Sequence, residues 1–417
     1  MNTIHTKTGY KKTKLGWIPE EWKISKLTDL VKPSRPIRYG IVQTGKYIED
    51  GIPCIRVVDL TKGELDRKLM IRTSPKINVA YKKTVVQEND IIFALRGAIG
   101  KVTKIDKKIA GINITRGTAL ISPCIEIEPN YLLWQIRSEN VIRNIMIRVS
   151  GSALKEIPIG ELKKVLVPVS SSRKEQKKIA KILSTWDKAI QKLEQLIQKK
   201  QQLKKGLMQV LLTGEMRFKE FVQKAGFKET KLGQMPQDWE IEEIGRLTKI
   251  CTGNKDTQDR IENGKYPFFV RSNTIERINS FSFDGEAILT SGDGVGVGKI
   301  FHYLNERFDY HQRVYNIHEF NQNLNGKYFF FYFSNHFYRR VKRMSAKNSV
   351  DSVRMDMISK MNIPLPVKEE QKKIAQVLNT CDQEINQLEK ELAAFKQQKK
   401  GLMQVLLTGE KRVKIET

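Results

Sequence analysis

The sequence predicts an α+β chain of two similar globular domains separated by a pair of long antiparallel coiled-coil helices, pseudo-two-fold and nearly circular. Three observations carry that expectation. One segment occurs twice, as Glu175–Arg217 and Glu370–Arg412, at a constant offset of 195 residues. Within it, EQKKIA (Glu175–Ala180 and Glu370–Ala375) and KKGLMQVLLTGE (Lys204–Glu215 and Lys399–Glu410) are letter-for-letter identical. A shorter repeat, TKLGWIPEEW ending at Trp22 and TKLGQMPQDW ending at Trp239, opens each half. A repeat this long is two halves of one molecule, not the short period of a solenoid.

In chain order the plan is an opening motif with a first domain (1–165), a first long helix (170–217), a second opening motif with a second domain (218–365), and a second long helix (366–417). The first domain holds strand-like runs such as Ile91–Leu95 and Ala119–Ile121, and Tyr131–Val149 has helical length and spacing near its end. In the first long helix, Ile179, Leu183, Trp186, Ile190, Leu193, Ile197, Leu207 and Leu211 recur at steps of three and four. A seven-residue apolar repeat held this long calls for a partner helix lying along it. Lys200, Lys204 and Lys399 interrupt the seam. Ser172 and Glu175 have capping-box spacing, Pro366 precedes the second helix, and Gly214 and Gly409 can end each one. About 37 residues at about 1.5 Å each make a rod of roughly 55 Å.

The second domain repeats the pattern with Phe268–Val270 and Val314–Ile317 as strand-like runs and Lys327–Met344 as a helix. Its Phe329–Phe333 aromatic run reads as core. Traces of the first domain persist inside it: Ile52–Arg56 resembles Tyr266–Arg271, and Asp90–Lys101 resembles Glu286–Lys299. The two domains therefore read as one fold carrying different surface residues. The second opening motif follows the first rod, and the first would follow the second rod only if the chain ends met. Two-fold related rods run antiparallel and place the two domains at opposite ends.

Composition narrows the class. The formal net charge is +28 and the sequence pI about 9.8. Residues 1–160 alone hold 28 Lys+Arg against 15 Asp+Glu, whereas 369–412 hold 8 against 7. Such an excess favours a polyanion, most often nucleic acid; a Lys-rich proteome is the competing origin. The apolar runs are too short to span a bilayer, and the start, MNTIHTKTGYKKTK, has no apolar signal region. Cys54, Cys124, Cys251 and Cys381 form no CxxC pair, which fits free thiols in a cytoplasmic protein.

Motifs for chemistry are absent or fail on spacing. Gly292–Lys299 is not a Walker loop, because Asp293 stands where its first Gly should be and Ile300 replaces the metal-binding hydroxyl. A tight strand–loop–strand with Lys299 beside a DNA phosphate fits it better. His311, Gln312 and Arg313 put three polar donors in a row; Gln can pair with adenine and Arg with guanine, while an ion pair holding Arg313 is an equal alternative. Lys255, Arg271 and Ser272 complete the second domain's DNA-contact candidates. In the first domain the candidates are Arg38, Tyr39, Arg56, Arg96, Lys101 and Arg116. His5, His302, His318 and His336 lack metal spacing. No [DNS]PP[YFW] methyltransferase motif, nuclease constellation or helicase loop appears.

Taken together, the paired TKLGxxPxxW motifs, GDGVGVGK, HQRVY, the Pro168-Val and Ile363-Pro-Leu-Pro lead-ins, and EQKKIA and GLMQVLLTGE in duplicated order resemble the specificity subunit of type I restriction–modification systems. The resemblance covers essentially the whole chain. It departs before the first rod, where Val169-Ser-Ser-Ser-Arg173 replaces a shorter Pro-rich link.

The resemblance implies target-recognition domains that each read one half of a bipartite double-stranded DNA target, with no catalysis by this chain. It implies helices that set the unread gap, roughly 16 base pairs for a 55 Å rod at about 3.4 Å per pair. It implies two methyltransferase subunits carrying S-adenosylmethionine, ATP-driven restriction subunits with Mg, and no cofactor in this chain. The duplicated rod ends are the expected docking surfaces for the methyltransferase subunits, through Gln176, Ile179, Leu207, Leu211, Gln371, Ile374, Leu402 and Leu406. A coiled-coil adaptor would explain the rods but not the basic domains, and a self-contained modifying enzyme would need the missing motifs.

Overall fold

A computed structural model of the chain describes residues 8–151, 154–294, 296–344 and 352–415. His5 and Val295, named above, lie outside them. Two compact units emerge: 1–194 with 391–417, and 195–390. Each unit therefore takes one domain, one opening motif, and a half of each long helix. The units cut across the sequence segments because the first half of the first rod and the second half of the second share one core, and the remaining two halves share the other.

The principal helices are α1 (Pro129–Arg137), α2 (Glu139–Met146), α3 (Arg173–Thr213), α4 (Gly326–Met344) and α5 (Lys368–Leu407). The long ones, α3 and α5, run to 41 and 40 residues, about 60 Å at 1.5 Å per residue. Helix Tyr131–Val149, expected as one piece, is two: Ser138 breaks it and its hydroxyl caps Val141 N–H at 3.4 Å. The counterpart α4 is unbroken.

In the first unit the opening motif is a hairpin, β1 (Tyr10–Thr13) and β2 (Gly16–Pro19). β3 (Lys23–Lys26) pairs antiparallel with β11 (Leu166–Val169) across the whole domain. Between them lie β4 (Arg38–Tyr39), β5 (Ile52–Ile55), β6 (Ile71–Thr73), β7 (Ile91–Ala94), β8 (Val102–Lys104), β9 (Asn113–Ile114) and β10 (Thr118–Ile121). They form sheets of order β4-β10-β7-β8 and β6-β5-β9, with β5 and β9 parallel.

The second unit repeats this plan. β12 (Phe227–Thr230) and β13 (Gly233–Pro236) form the hairpin, and β14 (Glu240–Glu243) pairs with β21 (Asn362–Leu365). β15 (Lys249–Thr252), β16 (Tyr266–Phe269), β17 (Ile275–Ile278), β18 (Phe283–Ser291), β19 (Phe301–Tyr310) and β20 (Val314–His318) make one sheet of order β15-β20-β18-β19-β16-β17. Here β19 is one ten-residue strand that pairs antiparallel with β18 and parallel with β16. In the first unit β8 and β9 divide those two tasks. One strand order thus underlies both domains.

The helix halves within each unit run antiparallel, and the interruptions of the seam are explained by ion pairs. In the second unit Lys204 Nζ lies 2.5 Å from Asp382 and Lys200 Nζ 2.7 Å from Glu384. In the first, Lys399 pairs with Asp187 and packs over the Trp134 ring, 4.6 Å from its centroid. Trp186 meets Phe395 edge-on at 5.3 Å there. The matched second-unit positions, 195 residues away, are Cys381 and Lys200.

The Phe329–Phe333 run is core: Phe329 and Phe333 are fully buried, and their rings stack at 5.3 Å. The four cysteines are unpaired. Among the described residues no helix is long and apolar enough to cross a membrane.

Candidate nucleic-acid interface

What locks each unit explains why the two repeats are there. Trp22 is fully buried and its indole N–H donates to Glu175 Oε2 at 3.0 Å; Trp239 donates to Glu370 Oε2 at 3.2 Å. Burying an indole removes about 150–250 Å² from water, worth about 4–6 kcal/mol at 25 cal/mol/Å². The same carboxylates take Arg412 and Arg217 from the rod ends. The next residues clamp the domain. Gln176 accepts from Glu128 N–H at 2.9 Å and donates to the Ser170 carbonyl at 2.9 Å. Gln371 accepts from Asn325 N–H and donates to the Pro366 and Asn323 carbonyls.

These contacts correct the expected docking surface. Gln176, Ile179, Leu211, Gln371, Ile374 and Leu406 are at most 4% exposed, and the apolar ones sit in the core of their own units. Leu207 and Leu402 are half-buried against those cores. EQ is repeated because it holds tryptophan, arginine and the domain lead-in, so its side chains face inward. Among the side chains that the duplicated stretches leave exposed are Lys177, Lys178, Lys205 and Gln209, and again Lys372, Lys373, Lys400 and Gln404, with Glu215 and Glu410 at the ends. The capping box is also only half made. Ser172 Oγ accepts from Glu175 N–H at 3.3 Å, but the Glu175 carboxylate is taken by Trp22, Ser170 and Arg412.

The rod ends require glycine. Gly214 and Gly409 have φ of +74° and +72°, and a Cβ would lie 2.4 Å from Pro236 or 2.6 Å from Pro19. Tyr10 Oη donates to the carbonyls of Gly409 and Glu410 at 3.1 Å each, so the two chain ends meet in the first unit.

In the second domain the sequence candidates converge at one end of the six-stranded sheet. Arg271 lies just past β16, and Arg313 just before β20; their guanidinium groups reach the two oxygens of Asp293 at 3.1 and 3.5 Å. Arg271 and Arg313 stay 45% and 64% exposed, so Asp293 orients both while leaving donors free. Gln312 N–H donates to the Lys255 carbonyl at 2.8 Å and its Nε2 to Asp256 at 3.0 Å. Backbone N–H donation from Thr257 and the side chain of Gln312 hold the Asp256 carboxyl below its usual range. Ser272 is exposed next to Arg271. Lys299 is exposed across the glycine loop, with its ammonium over the Tyr338 ring, 5.1 Å from the centroid.

His311 is the correction in this group. It is 2% exposed, its N–H donates to the Phe269 carbonyl, and its Nδ1 accepts from Arg313 N–H at 2.9 Å. Burial, helped by the Arg271 charge, pushes its pKa down. A neutral, enclosed imidazole shapes the turn and cannot meet a base edge. Arg313 does form the ion pair that was the open alternative.

The first domain builds the matched edge with other residues. Gly40 and Gly253 occupy one place in the two sheets: a Cβ would lie 1.9 Å from the Ile114 carbonyl oxygen or 2.0 Å from that of Tyr310. Arg116 N–H donates to the Ile41 carbonyl at 2.8 Å, as Gln312 does to Lys255, and its side chain is exposed. Tyr39 is 47% exposed, and Arg38 and Tyr39 line a groove of about 590 Å³ with Lys82, Lys83 and Lys163. The Arg96 backbone forms an isolated antiparallel β-bridge with Glu156, as that of Asp293 does with Ser352, so Arg96 stands where the second domain has Asp293. Lys101 is exposed in the following loop.

Arg56 is a further correction: its Nε and Nη2 donate to Asp59 at 3.1 and 2.9 Å and Nη2 also to the Leu69 carbonyl. Its fork is engaged within the chain. The residues missed from sequence were the orienting carboxylates Asp256 and Asp293 and the lysines beside Arg38. Asp293 stood in the quoted GDGVGVGK stretch, but only the fold pairs it with arginines 22 and 20 positions away.

The chain is similar to known proteins in sequence and in fold. The family model "Type I restriction modification DNA specificity domain" matches residues 19–205 and 236–394. The putative type I restriction enzyme MjaX specificity subunit of Methanocaldococcus jannaschii is 26% identical over 444 aligned residues, covering 99% of this chain and 98% of its own. The EcoBI specificity subunit of Escherichia coli is 33% identical over 166 residues, 40% of this chain and 35% of its own. The crystal structure of the type I restriction–modification S subunit from M. genitalium has the same fold, with a TM-score of 0.63 at 16% identity over 92% of this chain and 96% of that one. The chain belongs to the type I restriction–modification DNA specificity family, and its role is DNA recognition.

Proposed function

We propose that each domain reads one half of a bipartite double-stranded DNA target and that α3 and α5 set the unread gap between the halves. One observation carries the reading: a single strand order presents different residues at the same sheet end. Arg38, Tyr39, Arg96, Lys101 and Arg116 stand at the first edge, and Lys255, Arg271, Ser272, Lys299, Gln312 and Arg313 at the second. Base identity is read by such side chains in the major groove, while phosphate contacts fix register.

The exposed faces of the duplicated stretches, Lys177, Lys178, Lys205 and Gln209 with Lys372, Lys373, Lys400 and Gln404, are the docking surfaces for two methyltransferase subunits. These side chains are identical in both copies though no core demands it, which is what a partner bound twice requires. In this reading S-adenosylmethionine belongs to the methyltransferase subunits and ATP with Mg to restriction subunits joined through them, all in the cytoplasm.

The test is methylation mapping in a host that expresses the chain with its methyltransferase subunit. A split modified motif is expected; absence of any motif would return the chain to the adaptor reading.

A further inference from the structure

We infer that the last turns of α4 carry a phosphate-binding track for the DNA backbone, present in the second domain and not in the first. The inference rests on the half-site reading above and adds a surface to it. The glycine loop of the second edge sits directly on this helix: a Cβ on Gly298 would lie 3.2 Å from the Tyr338 ring, over which Lys299 stacks. One residue on, the exposed charges begin. Arg339, Lys342 and Arg343 are all exposed, and among the described residues no carboxylate lies within ion-pair distance of any of them. Arg340, between them, is different. It donates to the Met357 and Lys360 carbonyls at 2.8 and 2.9 Å and fixes the helix end.

Beside the helix lies a groove of about 510 Å³ lined by Lys231, His336, Arg339, Arg340 and Arg343, with no carboxylate among the described residues of its wall. A favourable interaction with the helix C-terminus accounts for one or two cations in the last turn. It does not account for three that have no ion-pair partner among the described residues and are continuous with Lys299. Concentrated, unneutralised positive charge of this kind fits phosphates, whose binding releases counterions.

DNA is favoured over an acidic protein partner by the difference between the domains. Tyr131 and Tyr328 are matched, each donating to a lead-in proline carbonyl, Pro168 or Pro364. Ser138 breaks the first-domain helix, so beyond it the buried faces give the match: Val141 and Ile145 stand where Phe337 and Val341 do. Arg143 then takes the place of Arg339 and is neutralised by Glu139 at 2.9 Å, and Met146 and Ile147 take the places of Lys342 and Arg343. A protein docked equivalently on both halves would need the charge on both; one DNA whose halves are gripped differently would not.

The experiment is fluorescence anisotropy of the assembled complex with methyltransferase subunits, on a duplex holding its own motif and on a scrambled duplex, from 50 to 200 mM KCl. The triple variant Arg339→Gln, Lys342→Gln, Arg343→Gln is expected to lower the log–log salt slope by about 2 to 3, near 0.9 per lost contact, on both duplexes. Its methylated motif stays the same, which also shows that it folds, and Arg143→Gln leaves the slope unchanged. A motif-reading triple variant with the parental slope overturns the track alone. Failure of the triple variant to assemble assigns the surface to a protein partner and overturns it too. A parental complex that does not prefer its motif duplex counts against the half-site reading itself, and the track falls with it.

Discussion

Arg217 and Glu370, 153 positions apart, form a two-pronged ion pair at 2.9 and 2.8 Å inside the second unit. Arg412 and Glu175 repeat it in the first unit at 2.6 and 3.0 Å. Each pair ties the end of one rod to the start of the other and sits against the tryptophan of an opening motif. The surroundings differ. Each arginine also bonds the acid before its tryptophan, Arg217 with Asp238 at 2.7 Å and Arg412 with Glu21, but Arg217 is 9% exposed and Arg412 39%.

Removing one partner of a buried pair leaves an uncompensated charge and costs about 3–5 kcal/mol. Arg217→Ala removes the cation that Glu370 and Asp238 share, leaving them only neutral donors such as Trp239 and the Gln223 N–H, and is expected in that range by urea denaturation followed at Trp239. Arg412→Ala is expected to cost less, because Glu175 keeps Trp22 and Ser170 as donors. A loss below about 1 kcal/mol for Arg217→Ala, or the reverse order, contradicts the assignment.

The glycines of GLMQVLLTGE divide into two kinds. Gly214→Ala meets a left-handed backbone and the Pro236 ring, and is expected to destabilise by at least about 1–2 kcal/mol. Gly206 and Gly401 lie mid-helix with nothing within 4 Å of a Cβ, so alanine there stabilises by roughly 0.5–1 kcal/mol. Melting temperatures of the three variants separate the two cases; equal effects would refute the distinction.

All four described histidines, His302, His311, His318 and His336, lie in the second unit, and burial pushes each below the ordinary value of 6.5. Their neutral forms are favoured by folding. As pH falls below 6.5 the unfolded chain takes up protons that the folded unit resists, so stability is lost on acidification. With the five tryptophans labelled as 5-fluorotryptophan, the Trp239 resonance should report a lower urea midpoint at pH 5.5 than at pH 7.5. The four tryptophans of the first unit should shift less. A larger shift in the first unit would be the contrary finding.

Lys205→Glu with Lys400→Glu tests the docking surface, since both side chains are exposed and neither holds a core together. Loss of co-purification with the methyltransferase subunit, at unchanged melting temperature, is expected. Retained assembly at parental yield would remove these faces from the interface.

The rods were legible in the sequence because periodicity is a local signal: Ile179, Leu183, Ile190 and Leu193 are all buried along one seam. The common fold of the domains was legible only through short matches, Ile52–Arg56 with Tyr266–Arg271 and Asp90–Lys101 with Glu286–Lys299. Within EQKKIA only the two lysines are exposed; Gln176, Ile179, Gln371 and Ile374 were misread as surface, because the side chains of Glu and Gln face tryptophan, arginine and backbone and the isoleucine lies in the core. Nothing local pairs Trp22 with Glu175 or Arg271 with Asp293, since those contacts form only when the sheet closes. His311 was misread for the same reason, its backbone N–H and its ring Nδ1 acceptor being used by a turn that composition does not reveal.

The most direct measurement exchanges residues 240–365 for the corresponding domain of a relative and maps methylation again. A motif changed in one half and retained in the other is the predicted result. A motif unchanged by the exchange, or altered in both halves, would contradict independent reading by the two domains.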